Sequence, residues 1–343
     1  MSKIAIIGAG AWGTGLGIIL GRQGSHQIQL WAREEEVRDS IATTRTNKLF
    51  LPQQLIPASV TATTSLKDAL QEANIVVSVM PSQHCRSLFQ EMRPHLNPGM
   101  LFVSATKGLE KGTLLRMTEV IAAVISSEND FRPRVGALSG PSFALEAARG
   151  DPTALTIASI DSDLARTVQA EFSDTRFRLY TNDDVTGVEL GGALKNIVAM
   201  AAGVCSGLGF GHNSIAALIT RGLAEITRLV IACGGRAETM AGLAGLGDLV
   251  LTCTGELSRN RSVGMELGRG RKLSDIIASM HGMVAEGIST TQAAVGLAKA
   301  HRVEMPIAEQ MHAVLDAGKS PTTAINDLMN RTVKSENQAR RPQ

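Results

Sequence analysis

A lysine inside an apolar segment is the first candidate for chemistry in this chain. Lys195 lies within residues 190–202, where nearly every neighbour is apolar or glycine. Because burial disfavours a charged ammonium, we expect the pKa of Lys195 to be lowered toward neutral pH. Such a group can deliver a proton to a developing alkoxide and stabilise negative charge on oxygen. The alternative is a lysine that extends its ammonium from a packed helix into water.

An aspartate in a glycine-rich segment is the second candidate. Asp248 stands in the segment GLGDL, directly before the apolar run at residues 249–251. Near Lys195, its carboxylate would orient the ammonium and hydrogen-bond a substrate hydroxyl. An aspartate that follows glycine is more often a turn or capping residue, so the residues alone leave both interpretations open.

A hydroxyl, a fixed positive charge and an amide follow one another at Ser258, Arg259 and Asn260. These groups suit a phosphate monoester, which Arg259 can bind through two parallel hydrogen bonds. In isolation the segment is equally typical of a basic surface turn. The neighbouring Arg261 receives no role.

Glycines cluster near the amino terminus, in the segment KIAIIGAGAWGTGLG. Gly8, Gly10 and Gly13 form the pattern G-x-G-x-x-G between the apolar run 3–7 and a helix-length segment, which is the setting of the dinucleotide fingerprint. Gly8 would make the tight turn, Gly10 would admit the pyrophosphate, and Gly13 would let the helix approach the sheet. The diphosphate would meet the helix N-terminus. A purely structural strand-to-helix turn is the alternative.

The end of the next apolar run bears on which dinucleotide is used, because an acidic residue about 20 positions beyond the glycines binds the ribose 2′-hydroxyl of NAD. Here the run ends with Arg33, which can pair with a 2′-phosphate. We therefore predict that the protein uses NADPH, alone or beside NADH. An arginine that is merely exposed at a strand end is the alternative.

The elements that must position these residues follow from hydrophobic patterning. Apolar, β-branched runs alternate with helix-length segments in the first half of the chain, at residues 3–7, 28–32, 75–80, 101–106, 135–139 and 154–160. Strands without strict alternation are typical of a parallel sheet covered on both faces. After residue 180, helix-compatible stretches follow at 185–204 and 214–233. We predict an α/β protein: a Rossmann-like doubly wound parallel sheet in residues 1–182, a mostly α-helical domain in residues 183–332, and a loose tail at 333–343.

Composition excludes several classes of function. The chain has 343 residues, of which 19% are charged, and a formal net charge of +2, so nothing favours a nucleic-acid partner or an anionic membrane. Its cysteines and histidines are scattered without zinc-like spacing, so we expect no bound metal. No uninterrupted apolar segment reaches the ~18 to 20 residues of an integral membrane span. We expect a cytoplasmic protein with reduced thiols.

Six segments together resemble the bacterial-type NAD(P)-dependent glycerol-3-phosphate dehydrogenases. They are GAGAWGTGLG, SATKGLE, LSGPSFALE, ELGGALKNIVAMAAG, GLAGLGDLVLTCTGELSRNR and VAEGISTT. They occur in the family's order and spacing and cover nearly the whole chain. The resemblance implies reversible hydride transfer between NAD(P)H and dihydroxyacetone phosphate, giving sn-glycerol 3-phosphate for phospholipid synthesis.

The resemblance also implies roles for individual residues, with Lys195 as the catalytic acid/base. The substrate contacts it implies are Lys107, Gly140, Ser142, Lys195, Asp248, Thr252, Ser258, Arg259 and Asn260. Beside Gly8, Gly10, Gly13 and Arg33, the cofactor contacts are Ala11, Trp12, Lys107, Ala144, Arg259, Val284 and Glu286. Lys107 follows a predicted strand, where ligands gather in doubly wound sheets; a lysine in an exposed loop is the alternative. Glu286 would have to hydrogen-bond ribose or amide rather than phosphate.

Other functions share part of this pattern. A β-hydroxyacid dehydrogenase would bind a carboxylate and need not carry the segment 258–260. A non-catalytic NADP-binding sensor would have no use for Lys195 and Asp248 together. The long apolar helices could also form a homodimer interface, which is compatible with catalysis.

Overall fold

The described residues of the first half form an eight-stranded sheet. A computed structural model describes residues 2–127, 131–280, 284–333 and 335. The strands are β1 (Ser2–Ile7), β2 (His26–Trp31), β3 (Val60–Thr63), β4 (Ile75–Ser78), β5 (Leu101–Ser104), β6 (Arg134–Ser139), β7 (Thr153–Ala158) and β8 (Phe177–Asn182). Their order in the sheet is β3-β2-β1-β4-β5-β6-β7-β8.

Helices cover both faces of this sheet. They are α1 (Ala11–Arg22), α2 (Glu35–Thr44), α3 (Leu66–Leu70), α4 (Cys85–Met92), α5 (Met117–Ser126), α6 (Ala144–Arg149) and α7 (Ser162–Phe172). Successive residues of β1 enter different cores: Ile4 and Ile6 pack into one apolar cluster, Ala5 and Ile7 into another. A strand buried on both faces needs apolar residues at consecutive positions, which explains the unbroken run at its start. The predicted Rossmann-like doubly wound sheet is confirmed.

The sheet is mostly parallel, as predicted, and one pair of strands departs from that arrangement. β6 and β7 run antiparallel, whereas the other neighbouring strands are parallel. The connection between them holds only the six-residue helix α6, which ends at Gly150 with φ +99°. This connection, residues 140–152, is close to the lower limit of about a dozen residues that a parallel crossover needs, and here the chain reverses direction instead.

The second half of the chain is helical, as predicted. Its helices are α8 (Val185–Gly207), α9 (His212–Ala232), α10 (Ala237–Met240), α11 (Asp248–Thr254), α12 (Arg259–Gly268), α13 (Leu273–Ala278), α14 (Glu286–Ala300), α15 (Pro306–Asp316) and α16 (Pro321–Met329). α8 forms the centre of this half and packs against α9, α11, α12 and α14. By length and composition α8 could cross a membrane, but its apolar window is wholly buried inside the protein.

The predicted domain boundary falls between β8, which ends at Asn182, and α8, which begins at Val185; the division itself stays a prediction. Of the predicted tail at 333–343, only Val333 and Ser335 are described, and the other positions lie outside the described residues. All four cysteines lie in the described part of the chain and are free. In the same part, no group of three or more His, Cys, Asp or Glu side chains could hold a metal ion.

Candidate active site

Lys195 lies midway along α8 and is only 6% exposed. Its Nζ donates hydrogen bonds to Asp248 Oδ1 at 2.7 Å and to Thr252 Oγ1 at 2.5 Å. Burial lowers the pKa of Lys195 to about 8, and the nearby Asp248 carboxylate limits the fall. An ammonium with this pKa can both release and regain a proton near neutral pH, which is the property that acid/base chemistry requires.

Asp248 is shared between two lysines. It opens α11, is 1% exposed, and accepts a hydrogen bond from Lys107 Nζ on Oδ2 at 2.6 Å, while Oδ1 accepts from Lys195. Burial acts to raise the pKa of Asp248, but the two ammonium groups outweigh it and hold this pKa below its usual value. The carboxylate is therefore ionised, and it fixes two positive charges on either side of itself.

The carboxyl ends of β5 and β6 lie against this cluster. Lys107 follows β5, and its Nζ also donates to the carbonyl of Gly140, which follows β6, at 3.1 Å. The Ser142 hydroxyl donates to the same carbonyl at 3.1 Å. An ideal Cβ at Gly192 of α8 would lie 2.4 Å from Ser139 Oγ at the end of β6. The close approach that glycine permits brings α8, and with it Lys195, onto the sheet edge where doubly wound folds bind ligands.

The segment predicted to bind phosphate forms the start of α12. The buried Ser258 caps this helix, because its Oγ accepts a hydrogen bond from the Arg261 amide at 3.2 Å. Asn260 Oδ1 accepts from the Gly287 amide at 3.0 Å and so ties α12 to α14. Within the described part of the chain, the Arg259 guanidinium has no hydrogen-bond partner, and it interacts electrostatically with Glu286. Its donors are therefore available to an anion, beside the Asn260 amide hydrogens.

The glycine turn has the backbone geometry that its sequence predicts. Gly8 has φ +123°, and an ideal Cβ there would lie 2.4 Å from the Val79 carbonyl oxygen. At Gly13 a Cβ would lie 1.9 Å from the Gly8 carbonyl oxygen, so the helix can approach the turn only without a side chain. Gly10 is the N-cap of α1, and a Cβ there would meet no described atom within 4 Å. The turn therefore presents open space at a helix N-terminus, the setting that favours a diphosphate.

Substitution of Gly13 by alanine should destabilise the protein by about 1–3 kcal/mol, because α1 must move to relieve the clash with Gly8. Thermal unfolding without ligand measures this loss. Gly10→Ala is the matched control: its methyl group enters open space, so its melting temperature should stay close to that of the unsubstituted protein. Equal stability of Gly13→Ala and the unsubstituted protein would contradict this account of the turn.

The other predicted cofactor residues lie on several elements. Ala11 and Trp12 begin α1, and Ala144 of α6 packs against Gly15 of that helix. Arg33 is exposed just beyond β2, and Val284, 40% exposed, precedes α14.

Glu286 reaches from the helical half to the loop after β4. Its Oε2 accepts a hydrogen bond from the Ser82 hydroxyl at 2.7 Å and its Oε1 accepts from the Ser82 amide at 3.2 Å. Burial raises the pKa of Glu286, and the bonds from Ser82 limit the rise. In this structure Glu286 therefore joins the two halves of the chain.

Family models for the two parts of NAD-dependent glycerol-3-phosphate dehydrogenase match the chain, the N-terminus at residues 3–165 and the C-terminus at residues 184–326. The chain belongs to this family. It is 68% identical over 336 residues to the glycerol-3-phosphate dehydrogenase (NAD(P)+) of Koribacter versatilis, covering 98% of this chain and 99% of that relative. The corresponding enzyme of Acidobacterium capsulatum is 54% identical, over 98% of this chain and the whole relative.

A solved structure agrees with this assignment. The crystal structure of glycerol-3-phosphate dehydrogenase from Coxiella burnetii superimposes with a TM-score of 0.91 and 39% sequence identity, over 96% of this chain and 99% of that one. As a member of the glycerol-3-phosphate dehydrogenase family, the chain is an NAD(P)-dependent oxidoreductase. The family, fold class and enzyme class predicted from the sequence are thereby confirmed.

Sequence reasoning missed a buried glutamate in this dehydrogenase. Glu189 of α8 accepts hydrogen bonds from Arg116 Nη1 at 2.8 Å, from the Thr118 amide at 2.9 Å and from the Thr118 hydroxyl at 2.5 Å. These bonds tie α8 to the start of α5. The signal was a charged residue inside an apolar helix, the same signal that identified Lys195 six positions later.

Proposed function

We propose that this enzyme catalyses reversible hydride transfer between NAD(P)H and dihydroxyacetone phosphate, giving sn-glycerol 3-phosphate, with Lys195 as the acid/base. The observation that carries the proposal is the buried Lys195 ammonium, held by Asp248 and Thr252 at the ligand-binding edge of the sheet. The names of the relatives supply the identity of the substrate. We further propose that the product, sn-glycerol 3-phosphate, is used as a precursor for phospholipid synthesis.

The residues present fit a nicotinamide dinucleotide. The turn at Gly8, Gly10 and Gly13 offers open space at the N-terminus of α1, and a Cβ on Gly8 or Gly13 would clash with a backbone carbonyl and distort the turn. When bound, the nicotinamide supplies or accepts the hydride. We assign the diphosphate to this turn, and the rest of the cofactor to Ala11, Trp12, Arg33, Lys107, Ala144, Arg259, Val284 and Glu286.

The protein's own contribution to the reaction is a proton and a fixed electrostatic field. During reduction, a C–H bond forms at the carbonyl carbon while the Lys195 ammonium gives a proton to the carbonyl oxygen and becomes a neutral amine. Asp248 keeps Lys195 in place and, through Lys107, fixes a second positive charge near the developing alkoxide. In the oxidation direction the neutral amine of Lys195 takes the proton back, so one group serves both directions.

We assign the substrate phosphate to Arg259, supported by Ser258 and Asn260. The guanidinium is a planar donor of several hydrogen bonds and remains charged at all working pH values. Lys107, Gly140, Ser142, Asp248 and Thr252 complete the proposed substrate site.

A substrate comparison tests the proposal directly. Purified protein should oxidise NADPH or NADH, followed by the absorbance of the reduced nicotinamide, when dihydroxyacetone phosphate is added. With unphosphorylated dihydroxyacetone, kcat/KM should be lower by about two orders of magnitude or more, because Arg259 would lack its anion. Equal rates with both ketones would refute the phosphate assignment, and no oxidation with either would refute the proposed reaction.

We further propose that NADPH is the favoured cofactor, on the ground that Arg33 is exposed just beyond β2, where its guanidinium can pair with a 2′-phosphate. Arg33→Asp should raise the KM for NADPH by about tenfold or more, since an attractive charge becomes repulsive, and should leave the KM for NADH within about twofold. Steady-state kinetics with both cofactors measures the two KM values. The control is Arg166→Asp, which replaces an exposed arginine elsewhere on the surface. An unchanged ratio of the two KM values would remove Arg33 from the cofactor site.

The cellular compartment and the oligomeric state complete the proposal. The four free cysteines are suited to a reducing compartment such as the cytoplasm. The exposed apolar side chains of Phe210, Val250 and Leu257 in the helical half are suited to a homodimer interface, which sedimentation velocity would detect.

A further inference from the structure

Asn47, which lies in the loop after α2, is fully buried against the glycine turn. Its Nδ2 donates hydrogen bonds to the carbonyl oxygen of Ala9 at 2.8 Å and to Thr14 Oγ1 at 2.8 Å. The Thr14 hydroxyl donates in turn to the same carbonyl at 3.2 Å. Ala9 stands between the first two glycines of the fingerprint, so a side chain 38 positions away holds the centre of the proposed diphosphate site.

The loop fixes the orientation of the Asn47 amide. Its Oδ1 accepts a hydrogen bond from the Phe50 amide at 3.0 Å, whereas its Nδ2 faces the acceptor on Ala9. Exchange of the two amide atoms would place donor against donor and acceptor against acceptor. Arg45 closes the loop at its base, through bonds to the carbonyls of Ile56 at 3.1 Å and Val60 at 2.9 Å. Asn47 is therefore held rigidly.

The bond to Ala9 controls the direction of a neighbouring donor. In a planar trans peptide, the carbonyl of Ala9 and the N–H of Gly10 point in opposite directions. A carbonyl fixed toward Asn47 therefore turns the Gly10 N–H away from the loop. Within the described part of the chain this N–H donates no hydrogen bond, and an ideal Cβ on Gly10 would meet only open space. A free N–H beside open space at a helix N-terminus is suited to an anion.

We propose that Asn47 is a positioning residue for the cofactor diphosphate, an inference that rests on the proposed dinucleotide site. Asn47 does not contact the ligand. It holds the Ala9–Gly10 peptide so that the Gly10 N–H is directed at the diphosphate before the cofactor binds. Without the Asn47 amide, the Ala9 carbonyl keeps only the longer hydrogen bond from the Thr14 hydroxyl. The Ala9–Gly10 peptide is then held less firmly and can rotate, which turns the Gly10 N–H away from the diphosphate.

Two variants separate this role from the alternatives. Asn47→Ala removes both amide donors without adding charge, and Asn47→Asp removes the donors but keeps an oxygen for the Phe50 amide. Both should raise the Kd and the KM for NADPH and NADH by about tenfold or more. The kcat at saturating cofactor and the KM for dihydroxyacetone phosphate should stay within about twofold, because the Lys195 cluster is untouched. Asn97→Asp, in an exposed turn, is the matched control.

Each other outcome has a definite meaning. If only Asn47→Asp raised the cofactor Kd, the cause would be the new negative charge. If only Asn47→Ala raised it, the cause would be the lost hydrogen bond from the Phe50 amide. Either result would overturn the inference. A lower melting temperature with unchanged cofactor Kd would assign Asn47 a purely structural role and overturn it too. If the unsubstituted protein failed to bind either cofactor, the proposed function would fall, and the inference with it.

Discussion

Replacement of Lys195 by methionine should lower the kcat for reduction of dihydroxyacetone phosphate by about four orders of magnitude. The substitution removes the proton donor and a positive charge beside the developing alkoxide, two contributions that are each worth about 10²-fold or more. Methionine fills a similar unbranched apolar volume, and Asp248 keeps Lys107 as its cationic partner. The fold should therefore survive the change.

Two comparisons make this prediction specific to proton transfer. The Kd for NADPH should stay within about twofold of the original value, because Lys195 is assigned to the substrate and not to the cofactor. Lys195→Arg should also be nearly inactive, since a guanidinium keeps the charge but does not release its proton. Lys272→Met, on the exposed cap of α13, should be fully active. Retention of more than about 1% of the original kcat by Lys195→Met would rule out an essential acid.

Asp248→Asn should lower kcat/KM by about 10²- to 10³-fold and destabilise the fold by about 3–5 kcal/mol, since it breaks a buried ion pair from one side. Two ammonium groups would then face each other without the carboxylate that separates them. Because Asp248 supports the charged form of Lys195, its loss should lower the pKa of Lys195 below about 8. The high-pH limit of ketone reduction should move to lower pH by the same amount.

Urea unfolding and pH–rate profiles measure these two effects separately. Asp163→Asn, which alters a surface ion pair with Arg166, is the control and should change neither quantity by much. Full stability together with an unshifted pH profile in Asp248→Asn would mean that the carboxylate does not hold the two lysines.

The sequence predicted the buried strands better than the strands at the edges of the sheet. β1, β4 and β5 lie inside the sheet, and their continuous apolar runs are visible without any structure. β3 reads VTAT and β8 alternates buried and exposed residues. Both are edge strands, which need apolar side chains on fewer positions, so neither was predicted.

The candidate site divides in a similar way. Lys195 could be predicted because a charged residue stands out in an apolar segment of the sequence. That Lys195 and Lys107 share Asp248 could not be predicted, because it depends on distances in space between residues that are far apart in the sequence. The role of Asn47 could not be predicted from the sequence, because it rests on a hydrogen bond to a backbone carbonyl in a turn that is distant along the chain. Glu286 could be assigned only through family resemblance, and its bond to Ser82 appears in the structure alone.

The most direct test of Lys195 as the acid/base is the pH dependence of kcat/KM in both directions, from about pH 7 to pH 10. Reduction requires the Lys195 ammonium, so its rate should be full at low pH and fall as the pH rises past the pKa of about 8. Oxidation of sn-glycerol 3-phosphate requires the neutral amine and should rise through the same pKa. Mirror-image limbs that disappear in Lys195→Met would support the account. Profiles that are flat across this range, or limbs that move in the same direction, would contradict it.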